Sequence, residues 1–69
     1  MSEAQYREAR RRAGLRPEEV CASLGVSVTT LMGWERGETS PKGPTIADMA
    51  KMYGVSTDAL LGIVPIDAK

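Results

Sequence analysis

The stretch PEEVCASLGVSVTTLMGWER, Pro17 to Arg36, decides the fold. It spells two short helices joined by a tight turn. Pro17 suits the first helical position, where its missing N–H is not needed, and Glu18 and Glu19 come next at the positive end of the helix dipole. Val20, Cys21 and Leu24 fall on one face of that helix. Gly25 supplies a residue that tolerates positive φ just past the helix end, and Ser27 is a suitable N-cap for the next helix. About two residues are thus expected between the helices. The second runs from about Val28 to Arg36, with Leu31, Trp34 and Glu35 on a common face and Gly37 as its stop.

Working outward, Ser2 to Ala13 holds no Gly or Pro, and Tyr6, Ala9, Arg10 and Ala13 recur at one-face helical spacing. Arg10 lies inside this otherwise apolar stripe, whereas Arg7, Arg11 and Arg12 point away. An inward Arg calls for a buried carboxylate, and Glu35, on the inward face of the third helix, is the one it requires. Downstream, Glu38 to Pro44 reads as a loop. Ile46, Met49, Ala50 and Tyr53 then mark a fourth helix ended by Gly54. Ser56 caps a short fifth helix, Thr57 to Leu61, closed by Gly62, and residues 63–69 read as an arm or frayed tail.

A chain of 69 residues is expected to hold one domain, here residues 1–62, and no second catalytic or regulatory one. With 42% hydrophobic residues, no Phe, one Trp and two Tyr, the core must be built mainly from Leu, Val, Ile, Met and Ala, which favours thin helical packing over a sandwich. Nine basic against nine acidic residues leave a formal charge of zero, so nucleic acid or an anionic membrane would be met only by a local patch. There is no His and a single Cys, Cys21, which removes disulfide, Cys/His metal and His-based catalytic sites. No metal site, no cofactor and no enzyme activity are expected; only a carboxylate or Lys-based enzyme survives on paper. The apolar run from Ala59 to Ile66 is broken by Gly62 and Pro65, far short of the roughly 20 residues that span a bilayer. No amino-terminal leader is evident, so the expectation is a small cytoplasmic domain with a reduced thiol and no membrane partner.

Gly14-Leu15, Glu19-Val20, Leu24-Gly25-Val26-Ser27, Thr30-Leu31, Trp34-Glu35-Arg36-Gly37, Pro41, Tyr53-Gly54-Val55-Ser56 and Asp58-Ala59-Leu60-Leu61-Gly62 together closely resemble the phage-repressor and Cro-type (XRE) family. The resemblance covers about Ala4 to Gly62. It implies an all-α, compact, five-helix lambda-repressor-like DNA-binding domain with the helix-turn-helix at about 17–36, the third helix entering the major groove and the second crossing above it. It also implies pairing of Arg10 with Glu35. By family position, Val28, Thr29, Met32 and Gly33 are the base-contacting candidates, and Ser27 and Thr30 the residues that touch phosphate. Phosphate contacts are further expected from Arg16, Arg36 and Lys42 and from the amino-terminal amides of the second and third helices.

The chain departs from the family pattern at several of these positions. Many members place Gln, Arg or Asn at the base-facing sites; Val28 and Met32 offer apolar contact only, as with a thymine methyl, and Thr29 is the one versatile hydrogen-bonding group. Both apolar residues also fit an ordinary exposed position or a protein contact. Gly33 permits close approach of DNA or, equally, a bend or a small residue beside Trp34. Pro17 stands where a phosphate-gripping Gln is common. Arg10-Arg11-Arg12 reads as a solvated helix face rather than a basic patch, Cys21 as a small packing residue rather than a redox switch, and Trp34 as core.

The function this implies is a sequence-specific DNA-binding transcriptional regulator, a repressor, acting on double-stranded DNA as a homodimer at a palindromic operator with half-sites about one helical turn apart. Leu60, Leu61, Ile63, Val64 and Ile66 form the candidate dimer surface. The alternative keeps the fold but makes it a protein-interaction module, such as an antitoxin or a subunit of a phage or plasmid control complex. Zero net charge, Pro17 and an uncharged reading helix favour that alternative.

Overall fold

Residues 4–66 are the part of the chain that the computed structural model describes, and they form five α-helices. These are α1 (Tyr6–Arg12), α2 (Pro17–Leu24), α3 (Val28–Glu35), α4 (Gly43–Tyr53) and α5 (Thr57–Leu60).

The turn between α2 and α3 arises from local chemistry. Gly25 adopts φ 71°, a left-handed conformation that a Cβ would strain. The amides of Gly25 and Val26 donate to the Cys21 carbonyl at 2.8 and 3.1 Å, which satisfies an acceptor otherwise orphaned at the end of α2. Ser27 then caps α3, its Oγ accepting from the Thr30 amide at 3.1 Å. Gly25, Val26 and Ser27 all lie between the helices, slightly more than the spacing suggested. The same device opens α5, where Ser56 Oγ accepts from the Ala59 amide at 3.0 Å.

Val20, Leu31, Met49 and Leu60 are fully buried and come from α2, α3, α4 and α5, while α1 contributes Tyr6 and Ala9. Each large apolar side chain taken from water in this way is worth about 1.5–3 kcal/mol. In this small core α1 packs on both α3 and α4, α2 on α3, and α4 on α5. The Gln5 amide donates to the Leu60 carbonyl at 2.7 Å, tying the entrance of α1 to the end of α5. Among the described residues no helix is long and apolar enough to cross a membrane.

Several expectations are corrected. Helix α1 starts at Tyr6 and not at Ser2, which with Glu3 lies outside the described residues; Ala13, past the last turn, is exposed. Pro44 is not in the loop but in the first turn of α4, where a missing N–H leaves nothing unsatisfied. Leu60 is withdrawn from the dimer surface, because it is wholly buried in the core. A helix of four residues has one inward face, and Ala59 and Leu60 fill it. The chain after α5 is not a frayed tail as far as Ile66: Ile63 and Val64 amides donate to the Asp58 carbonyl at 2.8 and 3.4 Å, and Ile66 packs on the core. Residues 67–69 lie outside the described residues.

Candidate nucleic-acid interface

The position of α3 is fixed from beneath by an ion pair. Arg10 Nε and Nη2 donate to Glu35 Oε2 and Oε1 at 2.7 and 3.1 Å, and Arg10 Nη1 donates to the Leu15 carbonyl at 3.1 Å. The Arg10 and Glu35 side chains are only 11% and 4% exposed, so this fork joins α1, the α1–α2 turn and the end of α3 in a water-poor setting. The hydrogen bond to Glu35 raises the Arg10 pKa further. Nearby, burial and then the Glu35 charge push the Tyr53 phenol up to about 12. Its hydroxyl is buried with no hydrogen-bond partner among the described residues. Cys21 is buried, and burial pushes its thiol up, which keeps it protonated and unreactive.

With Leu31 and Trp34 turned into the core, the amino end of α3 faces outward. Val28 is 44% exposed, and Ser27, Thr29 and Thr30 are exposed beside it. The Ser27 and Thr30 hydroxyls lie 3.0 Å apart, one donating to the other. One hydroxyl proton therefore stays free for an outside acceptor. Met32 is half-buried; it packs against the core and borders an open hollow of about 240 Å³ with Arg7, Arg10, Glu35 and Arg36.

Gly33 is not an open approach point for DNA, a correction to the sequence expectation. It is buried under the α3–α4 loop. An ideal Cβ there would stand 3.2 Å from Thr39 Oγ1, and the amides of Glu38 and Thr39 donate to the Gly33 carbonyl at 2.9 and 3.4 Å. Helix α3 runs without interruption through this residue, so the glycine makes room for the loop and does not mark a break in the helix.

Of the expected phosphate-binding cations, Arg16 is exposed, makes no ion pair among the described residues, and gives its backbone N–H to Glu19 Oε1 at 2.8 Å. Lys42 is exposed at the N-cap of α4. Arg36 is already engaged: its Nε and Nη2 donate to Glu38 Oε2 and Oε1 at 3.0 and 3.1 Å. That hydrogen bond holds the Glu38 carboxyl below its ordinary range. Sequence reasoning missed Glu38 as a competitor for Arg36. It also missed Arg7, which shares the Met32 hollow; the helical spacing of Arg7 and Arg10 was the signal for it. Arg12, paired with Glu8 at 2.9 Å, belongs to a solvated face. No cluster of His, Cys, Asp and Glu able to hold a metal ion occurs among the described residues.

Known proteins share this arrangement. Over 55 residues the chain is 38% identical to the cryptic phage CTXphi transcriptional repressor RstR of Vibrio cholerae, covering 80% of this chain and 50% of RstR. It is 36% identical over 58 residues to the HTH-type transcriptional regulator ImmR of Bacillus subtilis, 84% of this chain and 46% of ImmR. The chain thus spans about half the length of these curated relatives. The P22 c2 repressor, solved in complex with the synthetic operator 9T in the presence of Tl+, superposes with a TM-score of 0.73 at 32% identity, over 83% of this chain and 86% of that one. Residues 4–61 match the family described as a helix-turn-helix domain. On that match and on the capped α2–α3 unit with its glycine turn, the chain belongs to the phage-repressor type (XRE) of the helix-turn-helix family.

Proposed function

We propose that the chain is a sequence-specific DNA-binding repressor of transcription, acting as a homodimer on a roughly palindromic operator with the amino end of α3 in the major groove. The observation that carries this reading is the outward set of Val28, Thr29 and Thr30 above a core-locked Leu31 and Trp34. RstR being a transcriptional repressor and the P22 c2 repressor binding an operator support it. Thr29 makes the hydrogen bond to a base edge, Val28 packs on a thymine methyl, and Met32 touches the margin of the groove with its exposed part. Ser27, Thr30, Arg16, Lys42 and the amino-terminal amides of α2 and α3 hold phosphates, and Arg36 joins them by leaving Glu38. Few of these contacts are cationic, so affinity is modest and depends on salt and on dimerisation.

The dimer surface is Ile63, 65% exposed, with Val64 and the outer parts of Leu61 and Ile66. Equilibrium sedimentation with and without operator tests it; monomer throughout, at high concentration, overturns it.

A second reading, a protein-interaction module, is favoured by the capture of Arg36 by Glu38 and by Pro17 at the start of α2. Salt-titrated binding to the DNA upstream of the protein's own gene separates the two. Sequence-dependent binding that weakens with salt supports the repressor; no binding even at low salt supports the module.

A further inference from the structure

We infer that Thr39, on the loop between α3 and α4, is a specificity-determining residue that reads a base edge from the place where α3 itself has no side chain. The inference rests on the reading of α3 as the groove helix. Residues 29 and 33 are one helical turn apart on the same face, so a side chain at position 33 would lie over the turn that carries Thr29. Gly33 leaves that place vacant, and Thr39 Oγ1 stands 3.2 Å from where its Cβ would be.

The loop that carries Thr39 is tied to α3 through its backbone. Glu38 and Thr39 amides both donate to the Gly33 carbonyl, at 2.9 and 3.4 Å. Thr39 is nevertheless exposed, as is Thr29. The loop thus adds a third exposed threonine to Thr29 and Thr30 of α3. A threonine hydroxyl both donates and accepts, so it discriminates between base edges without the long side chains that this helix lacks.

Spacing makes the inference specific. Side chains one turn apart have Cβ atoms about 5–6 Å from each other, which puts the Thr39 hydroxyl within about 9 Å of Thr29. With base pairs stacked about 3.4 Å apart, the position read by Thr39 falls no more than two or three pairs from the one read by Thr29.

Selection of the full chain against a pool of random duplexes, followed by competition binding of single-pair operator variants, tests this with wild type, Thr39→Val, Thr39→Ser, Gly33→Ala and Thr29→Ala, each checked for helicity. Thr39→Val is expected to relax preference about 3–10-fold at one pair per half-site, two or three pairs from the one that Thr29→Ala relaxes, with non-specific affinity unchanged. Thr39→Ser keeps the hydroxyl and the preference, and Gly33→Ala, whose methyl displaces Thr39, weakens preference at the Thr39 pair. An unchanged selected sequence for Thr39→Val overturns the inference while leaving the groove-helix reading intact if Thr29→Ala still relaxes its own pair. A uniform loss across all duplexes also overturns it, since that marks a phosphate contact; the salt slope stays unchanged in that case because threonine carries no charge. If the wild-type chain selects no sequence, the groove-helix reading fails and takes this inference with it.

Discussion

Removing the Glu35 carboxylate is expected to cost far more than the removal of any exposed charge among the described residues. In Glu35→Ala the Arg10 guanidinium loses acceptors at 2.7 and 3.1 Å and keeps only the Leu15 carbonyl at 3.1 Å, with its side chain 11% exposed. Breaking a buried pair from one side leaves an uncompensated charge and typically costs about 3–5 kcal/mol. A chain of 69 residues has, at about 0.05–0.15 kcal/mol per residue, only about 3–10 kcal/mol in total. With an unfolding entropy near 2.1 cal/mol/K per residue, each kcal/mol shifts Tm by about 7 °C, so Glu35→Ala should lower it by about 20 °C or more. Urea and thermal unfolding monitored by circular dichroism read this directly. Arg12→Ala is the internal control: its pair with Glu8 is 50% and 43% exposed, so its loss should stay near 0.3–0.5 kcal/mol. The double variant Arg10→Met, Glu35→Leu should recover most of the lost stability, because desolvation of the charges disappears together with their attraction. A loss below about 1 kcal/mol for Glu35→Ala, the size of a surface pair, refutes the argument.

Three further outcomes are expected. Glu38→Gln frees Arg36 from its fork before binding and should raise DNA affinity, read by fluorescence anisotropy, because the pair no longer has to be broken; unchanged affinity would mean that Arg36 stays off the DNA. Tyr53, with its phenol raised to about 12, stays protonated on folding while the unfolded chain ionises near pH 10; stability is therefore intact below pH 10 and falls by about 2–3 kcal/mol as pH rises toward 12. Tyr53→Phe should flatten that alkaline loss and, by removing an unpartnered buried hydroxyl, hold or raise stability at neutral pH; a steep alkaline loss in the variant would assign it to another group. Finally, Leu60→Ala should destabilise the monomer fold by about 2–5 kcal/mol, whereas Ile63→Asp should leave the fold intact and shift sedimentation toward monomer; the reverse pattern would reinstate Leu60 as a surface residue.

Most of the scaffold was legible because its signals are local. Gly25, Ser27 and Ser56 act through amides within four residues of themselves, and the inward placement of Arg10 came from helical periodicity alone, which the 2.7 Å contact with Glu35 reflects. The features that escaped the sequence are tertiary. The vacancy at Gly33 has meaning only once the loop has folded back to set Thr39 above it, a contact six residues away in sequence but fixed by the path of the chain after α3. Arg36 reads as a free cation until that path brings Glu38 onto it. The apolar run from Leu60 to Ile66 looks like one surface, yet four helical residues cannot announce which side faces in; Leu60 filled the core, Ile66 packed against it, and Ile63 was left outside.

The claim that the amino end of α3 is the DNA-contacting face is tested most directly by amide chemical-shift mapping of the labelled chain as an unlabelled duplex, selected from a random pool, is titrated in. Shifts concentrated at residues 27–30, at the start of α2 and in the loop at residues 38–42, with Leu31 and Trp34 side chains unmoved, are the predicted result. Shifts confined to α5 and residues 61–66, with the amino end of α3 unaffected, would contradict it.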